Sequence, residues 1–426
     1  MKKLKLVNQL WVLVALFCIS LTSCLKDDCS EVRTFIEFEP VFVQPIEFRV
    51  DIETYEARPM EKTGKIYFYN NFIFVNEQYE GIHIIDNSDP SNPQNIAFMD
   101  IPGNLDVAVK DDLMYADSYA DLVTLNITDI QNPKLECRDE DVFNYNFNQT
   151  LGYFIYNKPT ERSVSIDCND PNFGNQIFRR GDILFLEDTA LPSGGFIDNN
   201  GNAIETGQGG SFARFSLIND YLYVISESQL TSYSLANPNK PFKREVTDVN
   251  WGIETLFPYK NNLFIGANDG MYIYSLDNPA SPAYVSKFQH AQACDPVVVK
   301  NDIAYVTLRN GLRCQNFTNQ LDVINVENIT NPRLIASFDM DNPHGLSVRD
   351  NNLYLCEGEN GLKVFETDDL EKINENQIDH IKNINAKDAI SLNKNHLLII
   401  GDGGLYQYDT TDPSDVKEIS FLSVTK

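Results

Sequence analysis

The feature that most constrains the fold is an internal repeat of about 41 residues. Each copy opens with an apolar strand, turns at Asn or Asp, gives a second aromatic-rich strand, passes a Gly or polar turn, and ends a third strand in Asn-Pro or Asp-Pro. Seven copies can be traced, the first from Lys65 and the others from near Asp106, Arg214, Glu254, Asp295, His344 and Asp388. Four short strands at this period are typical of a propeller blade. Alternation at period two, cut by Pro and Gly, excludes helical repeats. The sequence therefore predicts an all-β protein, a seven-bladed β-propeller of four-stranded repeats, with six or eight blades as alternatives.

The repeat spacing also divides the chain. Between the turn positions Asp121 and Gln229 the spacing exceeds two periods, which predicts one repeat plus an insertion at about 145–211. A degenerate eighth blade hidden there is the alternative. The propeller is then predicted over residues 62–424, and residues 24–61 form a tether followed by strands at 34–43. We expect those strands to pair with the last blade and close the ring.

One repeat carries a family resemblance. Residues 81–93, GIHIIDNSDPSNP, resemble the repeat of the LVIVD family, and similar forms occur at 321–332 and 361–365. The resemblance covers roughly residues 62–424 without the insertion, and it departs at 122–126 and 230–234, where the aspartate is missing. It implies a β-propeller on secreted or surface-anchored proteins, with no established catalytic residues to transfer.

The first residues predict where in the cell the protein is located. Residues 1–23 combine basic residues, a short apolar stretch from Leu10 to Leu21 and small residues before Cys24, which is the pattern of a signal peptide. The sequence Leu-Thr-Ser-Cys also resembles the lipobox of bacterial lipoproteins, which implies that Cys24 is acylated and anchors the protein to the membrane. An ordinary secretory peptide with an incidental cysteine is the alternative.

The residues after Cys24 bear on which side of the membrane the protein faces. Lys26-Asp27-Asp28 resembles an acidic signal that exports lipoproteins to the outer face of the outer membrane. We therefore expect an outer-membrane lipoprotein at the cell surface, with a periplasm-facing tether as the alternative.

The net charge limits the partners. With 34 Lys and Arg against 61 Asp and Glu, the formal charge is −27, so phosphate backbones are repelled and nucleic acid is an unfavourable partner. A glycan or an envelope protein is expected instead.

Cysteine use predicts disulfides. After the signal peptide and Cys24, six cysteines remain in a compartment that permits bridges, although the sequence leaves their connectivity open. A hairpin about residues 300–303 favours Cys294 with Cys314. Cys137 with Cys168 is a second pairing, since the two flank one inserted segment.

Polar residues open the innermost strands of the predicted propeller. Aligning the repeats places Glu254, Asp295, His344 and Asp388 at equivalent positions, with Asp106 and Arg214 one residue further on in their repeats. We expect these side chains to meet at one channel mouth and to bind a polyhydroxy ligand, or a calcium or other divalent cation. The alternative is that they satisfy backbone donors and bind water. His83, between two isoleucines, is expected to face outward.

Two functions follow. The first is a non-catalytic binding propeller for a glycan, a peptide or an envelope protein. The second is an extracellular hydrolase that uses the carboxylate and histidine cluster. No nucleophile elbow, P-loop, His-Glu-x-x-His or EF-hand loop is present in the sequence. The sequence therefore leaves open whether the chain is an enzyme, and we favour binding.

Overall fold

The computed structural model describes residues 30–167, 208–211, 213–226, 228–250, 252–289, 296–309 and 319–425. The described residues fall into two compact units: residues 30–39 with 157–167, and residues 40–156 with the described residues from 208 onward. The predicted signal peptide and Cys24 lie outside the described residues. Within these ranges, no helix has the length and apolar character needed to cross a bilayer.

In the part of the chain described from residue 30, three elements precede the first blade. They are β1 (Ser30–Val43), the short helix α1 (Pro45–Phe48) and β2 (Glu53–Glu56). Pro45 suits the first turn of α1 because its missing N–H is not needed there. In the smaller unit, the guanidinium of Arg162 forms ion pairs with Glu37 and Glu39.

Seven four-stranded antiparallel units form the propeller in the described part of the chain, and the strands follow one another outward in each. Blade 1 comprises β3 (Thr63–Tyr69), β4 (Phe72–Glu77), β5 (Gly81–Asp86) and β6 (Gln94–Asp100), and blade 2 comprises β7 (Val107–Lys110), β8 (Leu113–Ser118), β9 (Asp121–Asn126) and β10 (Lys134–Asp139). The chain then gives β11 (Phe147–Asn148), β12 (Gly152–Asp167) and β13 (Gln208–Gly209).

The remaining five blades follow in order. Blade 3 comprises β14 (Phe215–Ile218), β15 (Tyr221–Ile225), β16 (Gln229–Ser234) and β17 (Phe242–Asp248); blade 4 comprises β18 (Ile253–Tyr259), β19 (Asn262–Ala267), β20 (Gly270–Ser275) and β21 (Ala283–Phe288). Blade 5 comprises β22 (Val297–Lys300), β23 (Ile303–Leu308), β24 (Gln320–Asn325) and β25 (Arg333–Asp339). Blade 6 comprises β26 (Leu346–Arg349), β27 (Asn352–Cys356), β28 (Leu362–Glu366) and β29 (Gln377–Ile381), with a 3-10 turn at Ile373–Glu375, and blade 7 comprises β30 (Ala386–Asn393), β31 (His396–Gly401), β32 (Gly404–Asp409) and β33 (Lys417–Ser423).

The predicted fold class is confirmed. The first strand of each blade contacts the first strand of the next from blade 1 to blade 7, and β3 of blade 1 contacts β31 of blade 7, which completes a ring. In the described part of the predicted insertion, β12 joins β1 and β11, while β13 joins β3. Strands β1, β12 and β11 therefore form a separate three-stranded sheet, β13 extends the sheet of blade 1, and the described residues of the insertion make no further four-stranded blade.

The middle strands of the blades are buried on both faces. Strand β8 is buried at every position, and β9 and β20 at all but the last. A sheet that packs between two neighbouring sheets has no solvent face, so its polar positions are buried as well. His83 is therefore completely buried against Phe98 rather than facing outward, and its Nε2 lies 2.9 Å from a carboxylate oxygen of Glu77.

The glycine at or just before the start of the third strand in several repeats has a steric reason. Gly361 and Gly404 have φ of +88° and +140°, and a Cβ on either would lie 1.9 Å from the carbonyl oxygen of Ile381 or Leu422. The backbone of the outermost strand thus approaches a position that only glycine can occupy without strain.

Ring closure differs from the expectation for residues 34–43. These residues lie in β1, which neighbours β12 and not the last blade. Blade 7 takes all four strands from residues 386–423, so it needs no strand from the N-terminal chain. A smaller contact serves instead: Met60 forms a parallel bridge with Val424, and its carbonyl accepts from the backbone N of Thr425 at 2.8 Å.

A reciprocal amide pair joins blades 1 and 7. The Nε2 of Gln407 donates to Oδ1 of Asn87 at 2.7 Å, and Nδ2 of Asn87 donates to Oε1 of Gln407 at 3.1 Å. Both side chains are buried. Gln407 also donates to the carbonyl of Pro90 at 3.3 Å.

The cysteine predictions stay predictions. Cys294, Cys314 and Cys168 lie outside the described residues, and Cys137 carries a free thiol in this structure. Cys356 is a free, buried thiol in blade 6, and burial raises its pKa well above the usual value.

Replacing Gln407 with alanine should destabilise the ring. The change leaves the buried amide of Asn87 without its partner, which costs about 2 kcal/mol in the free energy of unfolding. Urea unfolding measures this loss. Gln94→Ala, at an exposed position of blade 1, is the control and should change stability by less than about 0.5 kcal/mol. Equal stabilities of the two variants would contradict the role of the amide pair.

Candidate functional site

The predicted channel-mouth residues Asp106 and Arg214 lie together, but Asp106 is buried and Arg214 is half-buried. Oδ2 of Asp106 accepts from Nζ of Lys65 at 2.7 Å and from the backbone N of Arg214 at 2.8 Å. Both Lys65 and Asp106 are almost inaccessible to solvent. Burial lowers the pKa of Lys65 to about 8, although the carboxylate of Asp106 opposes this shift. Asp106 therefore joins blades 1, 2 and 3 through contacts within the chain.

A second buried carboxylate at the mouth was not foreseen from the sequence. Oδ1 of Asp117 accepts from the backbone N of Leu105 at 2.7 Å and of Asp106 at 2.9 Å, and Oδ2 lies 3.5 Å from the guanidinium of Arg214. Burial raises the pKa of Asp117 to about 6, while Arg214 lowers it. Its position inside β8 concealed it, because only the starts of the innermost strands were considered.

The end of the insertion lies inside the ring. Strand β13 pairs with β3 on the side toward the ring centre, so that Gln208 is opposite Phe68 and Gly209 opposite Tyr67. The following Ser211 is buried, and its Oγ accepts from the backbone N of Leu346 at 2.9 Å. The chain thus contacts the innermost strands of blades 1 and 6 before it enters blade 3.

Asp388 holds this returning segment. Its Oδ1 accepts from Oγ of Ser211 at 2.9 Å, from the backbone N of Ser211 at 3.2 Å and from that of Ala389 at 2.9 Å. Its Oδ2 is buried without a hydrogen-bond partner. Burial raises the pKa of Asp388 to about 7, and its hydrogen bonds and Lys65 only partly offset this.

The other predicted mouth residues are placed differently. His344 is buried with its ring nitrogens 3.1 and 3.3 Å from the guanidinium of Arg309, and burial together with Arg309 and Lys387 holds its pKa well below the usual value. Glu254 is half-buried at a register shift between β18 and β19. Asp295 lies outside the described residues.

The mouth therefore has the character of a buried polar junction over the residues that can be placed. Asp106 and Asp388 both accept backbone hydrogen bonds from the chain itself. In the described ranges, no three His, Cys, Asp or Glu side chains lie close enough to hold a metal ion. The predicted cation or ligand at the mouth stays a prediction.

An open cleft lies elsewhere, at blade 1. It has a volume of about 500 Å³, and we call it the tyrosine cleft. Its lining comes from β2, β6, the turn after β4 and the loop that leaves blade 1: Tyr55, Glu56, Arg58, Tyr79, Glu80, Phe98, Asp100 and Pro102. Tyr55 is 53% exposed. A cleft of this size falls within the usual range for small-molecule sites.

Three tyrosines form a stack at the cleft. The ring of Tyr79 stacks on Tyr119 at 6.2 Å between centroids and on Tyr156 at 5.5 Å. Tyr119 also meets Phe48 of α1 edge to face at 5.3 Å. The stack fixes the ring of Tyr79 at the border of the tyrosine cleft.

The backbone of this stack is strained. Tyr79 and Tyr119 have φ of +66° and +50°, a region that bulky side chains rarely adopt. The loop after blade 1 supports both turns. Gly103 N donates to the carbonyl of Tyr79 at 2.8 Å, and the carbonyl of Gly103 accepts from Tyr119 N at 3.4 Å. Strain held by such support is common at binding sites.

A sequence signal for the tyrosine cleft existed. Tyr79 and Tyr119 both lie two residues before the turn positions Gly81 and Asp121 of their repeats. The equivalent residues in blades 4, 6 and 7 are all polar or acidic: Asn268, Glu359 and Asp402. Aligning the turns, and not only the starts of the strands, would have revealed two neighbouring aromatic turns.

The class of protein is thus a seven-bladed β-propeller with a buried polar channel and an open aromatic cleft at blade 1. No protein-family model matches the sequence, and no curated protein matches it. Solved structures do match. A functionally unknown protein from Desulfotomaculum acetoxidans DSM 771 aligns with a TM-score of 0.50 at 12% identity, covering 84% of this chain and 97% of that one.

Two further structures resemble the chain at slightly lower TM-scores. Kluyveromyces lactis Hsv2 aligns with a TM-score of 0.47 at 11% identity, covering 85% of this chain and 100% of that one. BamB from Moraxella catarrhalis aligns with a TM-score of 0.47 at 9% identity, covering 88% and 91%. At such identities the likeness concerns the fold alone.

The buried carboxylate of Asp388 should make stability depend on pH. Its pKa is raised in the folded chain, so the folded state keeps a proton that the unfolded state has released, and stability falls as pH rises from about 4 to 7. Asp117 acts in the same direction. Asp388→Asn should remove roughly 2–4 kcal/mol of the difference in unfolding free energy between pH 5 and pH 8.

Urea unfolding at the two pH values measures this difference. Asp111→Asn, at an exposed turn, is the matched control and should keep the wild-type difference. If Asp388→Asn also keeps it, the ionised carboxylate does not destabilise the channel.

Proposed function

We propose that this protein is a cell-envelope lipoprotein that displays a non-catalytic binding propeller for a glycan, a peptide or an envelope protein. Acylation of Cys24 anchors it in the outer membrane, and the propeller faces the outside of the cell. The lipobox-like Leu-Thr-Ser-Cys and the acidic residues after it support this location. The resemblance of the repeats to the LVIVD family fits a surface-anchored propeller.

One observation carries the binding role. The tyrosine cleft presents the exposed ring of Tyr55 and the ordered ring of Tyr79 beside carboxylates and Arg58. Aromatic rings provide flat apolar contact area at low entropic cost, and polar groups at the rim fix orientation. This combination suits reversible recognition of an extended ligand.

Hydrolysis is the weaker candidate. A glycosidase needs two accessible carboxyl groups on opposite sides of the scissile bond. Asp106 and Asp388 are buried and accept hydrogen bonds from the protein backbone, so neither is presented to a polymer. The described mouth residues therefore favour a structural role for these two carboxylates.

The lipid anchor can be tested by replacing one residue. Cys24→Ala should lose incorporation of a labelled fatty acid and move the protein from the membrane to the soluble fraction, because the thiol that is acylated is absent. Cys137→Ala, a cysteine change within the propeller, should keep both label and membrane association. Retained labelling in Cys24→Ala would contradict the proposal that Cys24 is the lipid anchor.

The side of the outer membrane on which the propeller lies needs a separate measurement. Protease added to intact cells should cleave the wild-type protein and spare a variant in which Asp27 and Asp28 are alanine, because the acidic export signal is lost. Equal cleavage of both proteins would show that surface display does not depend on these two residues.

The binding role is tested by screening the full chain in detergent against glycan and peptide arrays, with added calcium and with chelator. We expect ligands whose signal falls at least fivefold in Tyr55→Ala. Tyr284→Ala is the matched control, since Tyr284 is 58% exposed on the outermost strand of blade 4. Array ligands that bind Tyr55→Ala as well as the wild type would place recognition outside the tyrosine cleft.

A further inference from the structure

We propose that the tyrosine cleft recognises a protonated alkylamine, with the ammonium group beside Asp100 and its carbon stem against Tyr55. The inference rests on the proposed function, because it names the ligand chemistry of the same cleft. The amine belongs either to a small free diamine or to a lysine side chain of a peptide.

The charges that line the cleft are unequal. Three carboxylates, Glu56, Glu80 and Asp100, face one cation, Arg58. Glu53 adds a fourth carboxylate, because it is directly opposite Asp100 in the pairing of β2 with β6. Like charges opposite one another across a strand pair destabilise it. The cleft therefore carries excess negative charge that an added cation would offset.

Arg58 is already engaged. Its guanidinium lies 3.6 Å from the centroid of the Phe98 ring and forms an ion pair with Glu80. Among the residues that the structure places, no cation lies within ion-pair distance of Asp100 or Glu56. These two carboxylates are thus available to a ligand.

Asp100 is a half-buried carboxylate of the cleft with like charges beside it. Burial raises its pKa, Arg58 opposes this, and the carboxylates of Glu80 and Glu53 raise it further. A ligand cation near Asp100 would replace the solvation that burial has removed. The same effect makes the preference for a cation stronger than at a fully exposed acidic residue.

The aromatic rings complete the fit for an amine. An ammonium group is attracted to the face of a tyrosine ring within about 6 Å. Tyr55 contributes an exposed ring on one border, and Tyr79 contributes a ring that its neighbours hold in place on another. An apolar stem of several carbons can cover such a ring while the charged end reaches a carboxylate.

The volume of the cleft admits such a ligand. About 500 Å³ accommodates a diamine or one amino-acid side chain with its neighbouring backbone. A bulky apolar ligand would have to desolvate the carboxylates at the rim without pairing them, which is unfavourable. The cleft is therefore matched to an amine with a slender stem.

Calorimetry on the full chain in detergent tests the inference with two amine probes, 1,5-diaminopentane and Nα-acetyl-L-lysine methylamide. Each is paired with a neutral counterpart: the N,N′-diacetylated form for the diamine and the Nε-acetylated form for the lysine probe. We expect at least one amine to bind at least tenfold more tightly than its neutral counterpart, and to weaken as salt rises. Binding of the diamine alone identifies a free amine, and binding of the lysine probe identifies a peptide. Equal affinities for charged and neutral probes, or no binding by either amine, would overturn the proposal.

Variants place the amine in the cleft. Asp100→Asn and Tyr55→Ala should each weaken amine binding at least fivefold. Asp339→Asn and Tyr284→Ala should leave it unchanged, since Asp339 ends the outermost strand of blade 5 in the same register as Asp100 in blade 1. Asp100→Asn removes a repulsion with Glu53, so the fold should persist, as circular dichroism can verify. Undiminished amine binding in both cleft variants would refute the assignment.

The two proposals fail differently. If an array ligand requires Tyr55 but carries no amine, the binding function stands and the amine inference falls. If amine probes bind through Tyr55 and Asp100 while no array ligand depends on Tyr55, the amine site stands and the proposed glycan or peptide role falls.

Discussion

Packing of each blade between two others is the constraint on which the rest of the molecule depends. It buries both faces of the middle strands, which explains why β20 is almost continuously apolar and why His83 must pair with Glu77 inside the protein. It also brings the first strands of all blades to one axis. Asp106 and Asp388, at the starts of two of those strands, have little access to water, so their charges are stable only where the chain supplies donors and counter-charges.

Residues of the chain itself supply these donors and counter-charges. Lys65, Asp106 and Arg214 connect three blades, and Asp388 accepts from Ser211 of the returning segment. The interior of the ring is therefore a structural junction, and the surface of blade 1 carries the open cleft. Rigid blades suit this division of roles, because a cleft held by packed sheets keeps its rings in place without a ligand.

Periodicity was sufficient to predict the architecture from the sequence, because a four-stranded unit copied along the chain has few other ways to bury its apolar faces. The alignment also brought Asp106 and Arg214 together. It could not show that Asp388 is buried against the returning segment, because that depends on β13 lying inside the ring, and no local pattern marks a two-residue strand. The tyrosine cleft escaped prediction for a related reason. Tyr55 precedes the repeats, Tyr156 follows blade 2, and only the folded chain places both at blade 1.

Strand β13 also gives the insertion a part in assembly. Its residues belong, in chain order, between blades 2 and 3, yet they contact β3 and β30, from the first and last blades. The final blade must therefore close around a segment synthesised long before it, a non-local pairing that slows folding. Excising the insertion whole would therefore leave the carboxylate of Asp388 at the centre of the ring without the hydroxyl and the backbone N–H that Ser211 donates to it.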